Sequence, residues 1–364
     1  MKLPVYLSLS IRAGGRLLLL GGVLPTAQAL VLYSTGDPNA NTTAPTGPLA
    51  DSGWQYENSF LSATGYPISN DSFVVSKHIV GGYHTGNVGG TTFTYLGVTY
   101  NTVGRWDAPG DADITVLKID PSAPAGAFPS FVPLYRKSDE VGKDFVVLGK
   151  GYIRGAEINI PADATTGASA NGTLRGWEWG PLGAGVQRWG QNTVDAIAVA
   201  NGPGVHQEYL VSTLTPPAQG GLPNEAALAE GDSSGGVFIL DTQDGIWKLA
   251  ALNSGADASF STTQGGTATR MAVFDAGGLY TGPGLQNQLQ DTVNPDVYFN
   301  GSLQSVLLTD PTVDRAVGSF HARLSPLVDW LDSVALPEPA APPVLLGLVF
   351  GLGMMWVARR QPSR

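Results

Sequence analysis

Glycine and proline punctuate this chain so densely that little of it can be helical. There are 48 Gly and 26 Pro among 364 residues. Gly weakens a helix through backbone entropy, and Pro through its missing N–H and its ring. That share is below the level that marks low-complexity disorder. Between the breaks lie short runs rich in β-branched and aromatic residues, at 72–76, 92–98, 113–119, 145–148, 207–212, 237–240 and 246–252. Runs of this length bounded by turn residues read as strands. Between the two ends of the chain only 325–334 reads as a helix, with Ser325 as its cap and Pro326 in the first turn. The pattern alone predicts a mainly β protein, and the length suggests about two domains. No repeats are evident. There is no cysteine, so packing rather than disulfides must stabilise the core.

The chemistry gathers in three places. Gly231-Asp232-Ser233-Ser234-Gly235-Gly236 surrounds a serine with glycines. Such a backbone can aim the N–H groups of Gly231 and Ser233 at one point, where an oxyanion would form. A serine hydroxyl also needs a base. Of the four histidines, His78, His84, His206 and His321, only His78 directly follows an apolar β-rich run. The other three read as structural. An acid must then hold the imidazole in the right tautomer. In Asp111-Ala112-Asp113-Ile114, Asp113 abuts the apolar strand and is the better orienter; Asp111 is the alternative.

Taken in chain order, these segments resemble the trypsin/chymotrypsin-like serine peptidase family. Val74-Val75-Ser76-Lys77-His78 is similar to its valine-rich strand ending in histidine, and Asp111-Ala112-Asp113-Ile114 to its Asp-x-Asp-Ile motif. The hexad at 231–236 resembles its Gly-Asp-Ser-Gly-Gly-Pro signature, with Ser234 and Gly236 as departures. Weaker likenesses are Val147-Leu148-Gly149-Lys150-Gly151, for a Gly-Trp-Gly segment, and residues 323–331, for the last strand and closing helix. The resemblance covers roughly 55–334. It implies an all-β fold of two antiparallel six-stranded β-barrels with a C-terminal helix and a cleft between the barrels. The first barrel would occupy 55–120 and the second 121–334, joined by a linker at 121–129 and interrupted by an atypical insertion at 256–317 that could cap the cleft.

The family's chemistry implies His78 as general base and then acid, Asp113 as orienter and Ser233 as nucleophile. It implies an oxyanion hole from Gly231 and Ser233, a structural role for Asp232, and no metal or cofactor. Ala227 takes the place of a trypsin's pocket aspartate, which predicts a small or apolar preference rather than Arg or Lys. Asn253, Ser254 and Gly255 would form the edge that pairs with the substrate backbone. Ser319 would lie in the opposite wall, unless 269–274 supplies it, and Glu230 at the pocket mouth. Ile79-Val80-Gly81-Gly82 spells an activation sequence, but cutting there would sever His78 from its domain. A cut after Ala29 would instead free Leu30 to pair with Asp232.

The two ends imply export. Lys2, Arg12 and Arg16 precede the apolar run 17–24, and Ala27-Gln28-Ala29 offers a cleavage site, which makes 1–29 a signal peptide. Residues 30–54, rich in Thr, Pro and Gly, look like an exposed lead-in. Pro337-Glu338-Pro339, the apolar stretch 344–358 and Arg359-Arg360 make 335–364 resemble the PEP-CTERM sorting signal of Gram-negative bacteria. Fifteen helical residues reach about 23 Å, a short transmembrane helix. The expected partners are signal peptidase, an exosortase-type sorting enzyme and a polypeptide substrate. The expected route is transient inner-membrane anchoring through that helix alone, then release to the cell surface or beyond as a monomer. Six of the 20 Lys and Arg residues but only one of the 30 acids lie in these ends. The remainder carries a net charge of −15, which disfavours nucleic acid and anionic membranes.

Two other classes remain open. Gly231-Asp232-Ser233-Ser234-Gly235 also satisfies the Gly-x-Ser-x-Gly elbow of an α/β-hydrolase esterase. That fold would recruit His321 with Asp310 or Asp314, and it lacks the strand–helix alternation here. The other is a non-catalytic surface scaffold.

Overall fold

Val74 and Val116 face each other where Ser72–Val75 pairs with Thr115–Ile119, at the heart of a six-stranded antiparallel sheet. The computed structural model describes residues 29–56, 58–80, 91–160, 172–182, 185–202, 205–262, 269–276, 279–281, 306–307 and 318–335. All but the last residue of the expected signal peptide 1–29, all but the first of the expected sorting signal 335–364, and His84, Asp310 and Asp314 lie outside them. In the first sheet the order is Asn58–Phe60, Thr92–Tyr95, Val98–Asp107, Thr115–Ile119, Ser72–Val75 and Tyr66–Pro67. A bridge from Phe60 to Ala63 draws its two edges together, so the sheet nearly closes into a barrel. Phe60, Phe73, Phe93, Tyr95 and Phe128 fill it, with Phe73 and Phe93 stacked at 4.1 Å. The expected strand 92–98 is in fact a hairpin. Leu96 and Gly97 both take positive φ (49° and 79°) between the paired Tyr95 and Val98, which is the geometry of a tight hairpin turn.

The second sheet has seven antiparallel strands, in the order Arg188–Thr193, Asp144–Gly149, Gly236–Asp241, Ile246–Ala256, Gly318–Arg323, Val205–Thr213 and Ala196–Gly202. Val146, Leu148, Phe238, Leu249 and Leu252 lie in a core shared with Tyr66, Val74 and Val116 of the first sheet. The stretch 121–129 is more than a linker, because Phe128 is buried in the first sheet's core. The C-terminal helix begins as a 3-10 turn, Ser325–Leu327, and continues as Val328–Ala335. Ser325 does not cap it. Its hydroxyl donates to buried Glu140 at 2.6 Å, and Glu140 also accepts from Arg323.

Part of the atypical insertion finds a partner that sequence did not announce. Ser259–Phe260 and Thr269–Val273 join Thr173–Leu182 and Tyr152–Ile160 in a separate four-stranded sheet. Its Trp177 packs with Val31, Leu214, Ala227, Ala229 and Ala272.

Residues 30–54 are not simply an exposed lead-in. Val31–Leu32 pairs with Ala226–Ala227, and Ala29 to Leu32 are essentially without exposed surface. Arg188 donates to the carbonyls of Leu30, Asp37 and Pro38, and Trp189 Nε1 to that of Thr43. A buried guanidinium gathering three carbonyls, together with an apolar strand to pair, outweighs the polar composition of the segment. Among the described residues no helix is long and apolar enough to cross a membrane.

Candidate active site

His78 sits in a four-residue helical turn, Lys77–Val80, directly after the strand Ser72–Val75. Its ring is two-fifths exposed, whereas the Asp113 side chain is only 14% exposed. Nδ1 lies 2.8 Å from Asp113 Oδ2 and 3.0 Å from Oδ1, and the His78 backbone N–H donates to Oδ1 at 2.9 Å. Ring and backbone thus grip the same carboxylate, which leaves Nε2 as the outward nitrogen. Asp113 is held in turn: its N–H donates to Gln207 Oε1 at 2.6 Å, and Ser254 Oγ donates to Oδ2. Asp111 goes elsewhere. It is largely exposed and pairs with Lys77.

Ser254 reaches Asp113 because of a bulge. Asn253 pairs with His321 and Gly255 with Phe320, so the register shifts between them and Ser254 is the extra residue. A bulge re-aims a side chain in this way. The Ser254 side chain thus supports the acid, whatever its backbone offers a substrate. Gly255 is exposed, and a Cβ there would meet nothing within 4 Å, so this part of the expected substrate edge is open. Asn253 is a correction. It is fully buried, its amide nitrogen donating to Leu148 O (2.8 Å) and Asp232 O (3.0 Å) and its Oδ1 lying 2.9 Å from His321 Nδ1. It braces the serine loop rather than facing a substrate. Ser319 is buried too, and accepts from the Leu228 N–H. Its strand flanks Ile246–Ala256, whereas Thr269–Val273 lies in the separate sheet.

The serine loop is built around Gly231, whose φ of +88° an L side chain would resist. Ser233 is half-buried. Among the described residues the N–H groups of Gly231 and Ser233 donate to no protein acceptor, which suits an oxyanion hole. No hydrogen bond joins Ser233 to His78. The two are brought near by their neighbours: the Ser76 N–H donates to Ser234 Oγ at 2.9 Å.

Asp232 is fully buried beneath the loop and accepts from the N–H groups of Gly151 (2.7 Å) and Ala229 (2.8 Å). Burial pushes its carboxyl up to about 7, opposed by bonds from Ala229, Gly151 and Leu30 and by the Arg188 charge. The Gly149-Lys150-Gly151 segment has a steric reason here. A Cβ at Gly149 would collide with the Asp232 carboxylate, and one at Gly151 with the Glu230 carbonyl.

Ala227 is buried against Trp177 and Val31. The nearest acid in sequence, Glu225, is buried with its carboxylate accepting from Thr215 N (3.0 Å) and Leu222 N (2.9 Å). Glu230 is exposed. His321 bonds Asn253 and Ser212 rather than Ser233.

Sequence reasoning gave no site role to Gln207 and Thr64, which stand in no recognisable motif, or to Ser76 and Ser234, which stand inside the histidine and serine motifs but whose contacts with each other nothing local announces. No known protein-family model matches this chain, and no curated protein matches it.

Proposed function

We propose that the chain is an exported serine endopeptidase of the trypsin/chymotrypsin-like class. Ser233 attacks the peptide carbonyl while His78 takes its proton, with Asp113 orienting the imidazole. The Gly231 and Ser233 N–H groups receive the oxyanion, and His78 returns the proton to the leaving amine. Water then hydrolyses the acyl-enzyme by the same route in reverse. The observation that carries this reading is the double grip of Asp113 on His78, with the Ser233 loop bonded to the residue two before that histidine. The seven-stranded sheet is read as the second barrel. Asn192 supports that reading by donating to Thr213 O at 2.9 Å, which draws one edge strand toward the opposite side. Ala227 in its apolar setting, with Glu225 turned to backbone, favours a small or apolar side chain before the scissile bond.

Cleavage after Ala29 would start the mature chain at Leu30. Its N–H already bonds Asp232, and its φ of +60° is a strain that a chain terminus would not carry. The Pro-Glu-Pro tail then directs the enzyme to the cell surface.

The test is labelling of the purified protein with a fluorophosphonate probe. Labelling at Ser233 is expected in the wild type and lost in Ser233→Ala and His78→Ala, with peptidase turnover falling by about 10⁶. Labelling unchanged in His78→Ala but lost in His321→Ala would overturn the assignment in favour of an esterase-type site.

A further inference from the structure

Ser234 has no exposed surface, and its φ of +63° lies in the left-handed region that glycine occupies without strain. A side chain here is worth its strain only through what it touches. Its Oγ donates to Thr64 O at 2.7 Å and accepts from the Ser76 N–H at 2.9 Å. Thr64 Oγ1 returns a bond to Ser234 O at 2.6 Å. The Ser234 N–H donates to Asn253 O at 2.8 Å, which also accepts from Ser76 Oγ at 3.1 Å. One small node therefore joins four segments: the turn at Thr64, the one that ends in His78, the one that carries Ser233, and the one whose next residue, Ser254, holds Asp113.

We propose that Ser234 is a positioning residue, whose hydroxyl clamps the Ser233 loop to the strand end bearing His78 and sets the serine–imidazole register. This rests on the reading of Ser233 as nucleophile and His78 as base. Ser234 is no alternative nucleophile, since its proton and a lone pair are both engaged and no substrate can reach it. The bonds of this node span the two sheets. The first sheet brings Thr64 and Ser76, and the second brings Asn253, so the clamp fixes one half of the site against the other. Reacting groups displaced by about 1 Å can lose about 10²-fold in rate, which sets the size of effect expected.

Two substitutions separate positioning from folding. Ser234→Ala deletes the hydroxyl and keeps the strained Cβ, whereas Ser234→Gly deletes the hydroxyl and relieves the strain. Their melting temperatures should differ, with the glycine variant higher. Both should nevertheless slow fluorophosphonate labelling of Ser233, and lower kcat on an unfolded protein substrate, by a similar factor of about 10 to 100, with KM moved much less. Wild-type labelling rates in either variant, with His78→Ala silent, would overturn the clamp and leave the peptidase reading standing. A rate loss that follows melting temperature from one variant to the other would also overturn it. No labelling of Ser233 in the wild type would remove the catalytic reading and the clamp with it.

Discussion

Ser254 decides how firmly the Asp113 carboxylate is held, because the bulge gives that oxygen a donor besides the imidazole. A hydrogen bond to a charged group contributes about 1.5–3 kcal/mol. If that support is expressed in the orientation of His78, Ser254→Ala should lower kcat/KM by roughly tenfold, with a melting temperature lower by several degrees. Asp113→Asn should cost about 10⁴-fold in kcat through the wrong tautomer. Steady-state kinetics on both variants checks the ordering, and Ser254→Ala costing as much as Asp113→Asn would contradict it. His78, Asp113 and Ser233 were legible in the sequence because each stands inside a local pattern of neighbours. Ser254 and Gln207 were not. Their contacts with Asp113 depend on a register shift and on strand Val205–Thr213, neither of which leaves a mark in the residues nearby.

At the scale of elements, the two-residue strand Val31–Leu32 matters most for its size. Two residues carry no periodicity, and the partner Ala226–Ala227 is far away in sequence, so the segment read as exposed. The pairing sets Leu30 against Asp232. With an ordinary peptide N–H at Leu30, burial keeps the Asp232 carboxyl raised to about 7. The folded state then binds a proton that the unfolded state releases, so this group's contribution to stability falls as pH rises from about 4 to about 7. A free ammonium at Leu30 would favour the ionised carboxylate and remove that fall. His321 acts equally in both forms, so the effect is read as a difference: from about pH 4 to about 7 the urea midpoint of protein retaining residues before Leu30 should fall relative to that of protein released from a cleavable fusion to begin at Leu30. Matching pH curves for the two forms would refute the pairing, as would a mature N-terminus well away from residue 30.

Across the whole molecule, a mainly β fold was readable from turn residues and short apolar runs, but the pairing of distant strands was not. Nothing local to Thr269–Val273 says that it joins Thr173–Leu182, because that choice is made by tertiary packing around Trp177. The same nonlocality governs acid stability. His321 lies inside the seven-stranded sheet, 1% exposed, between Asn253, Ser212 and the edge of Phe145. Burial lowers its pKa from 6.5 to about 3. Below pH 6.5 the unfolded chain takes up a proton that the folded chain refuses, so stability drains away as pH falls from about 6.5 to about 3. At about 1.4 kcal/mol per unit, the loss across the window is on the order of 5 kcal/mol. A charged His321 would also reverse its bond with Ser212, with Nε2–H donating to the hydroxyl. His321→Gln, polar but not titrating, should lose some stability at pH 7 yet show a much shallower decline in urea midpoint between pH 6.5 and 4. An equally steep decline in the variant would mean that other groups, and not this histidine, set the acid limit.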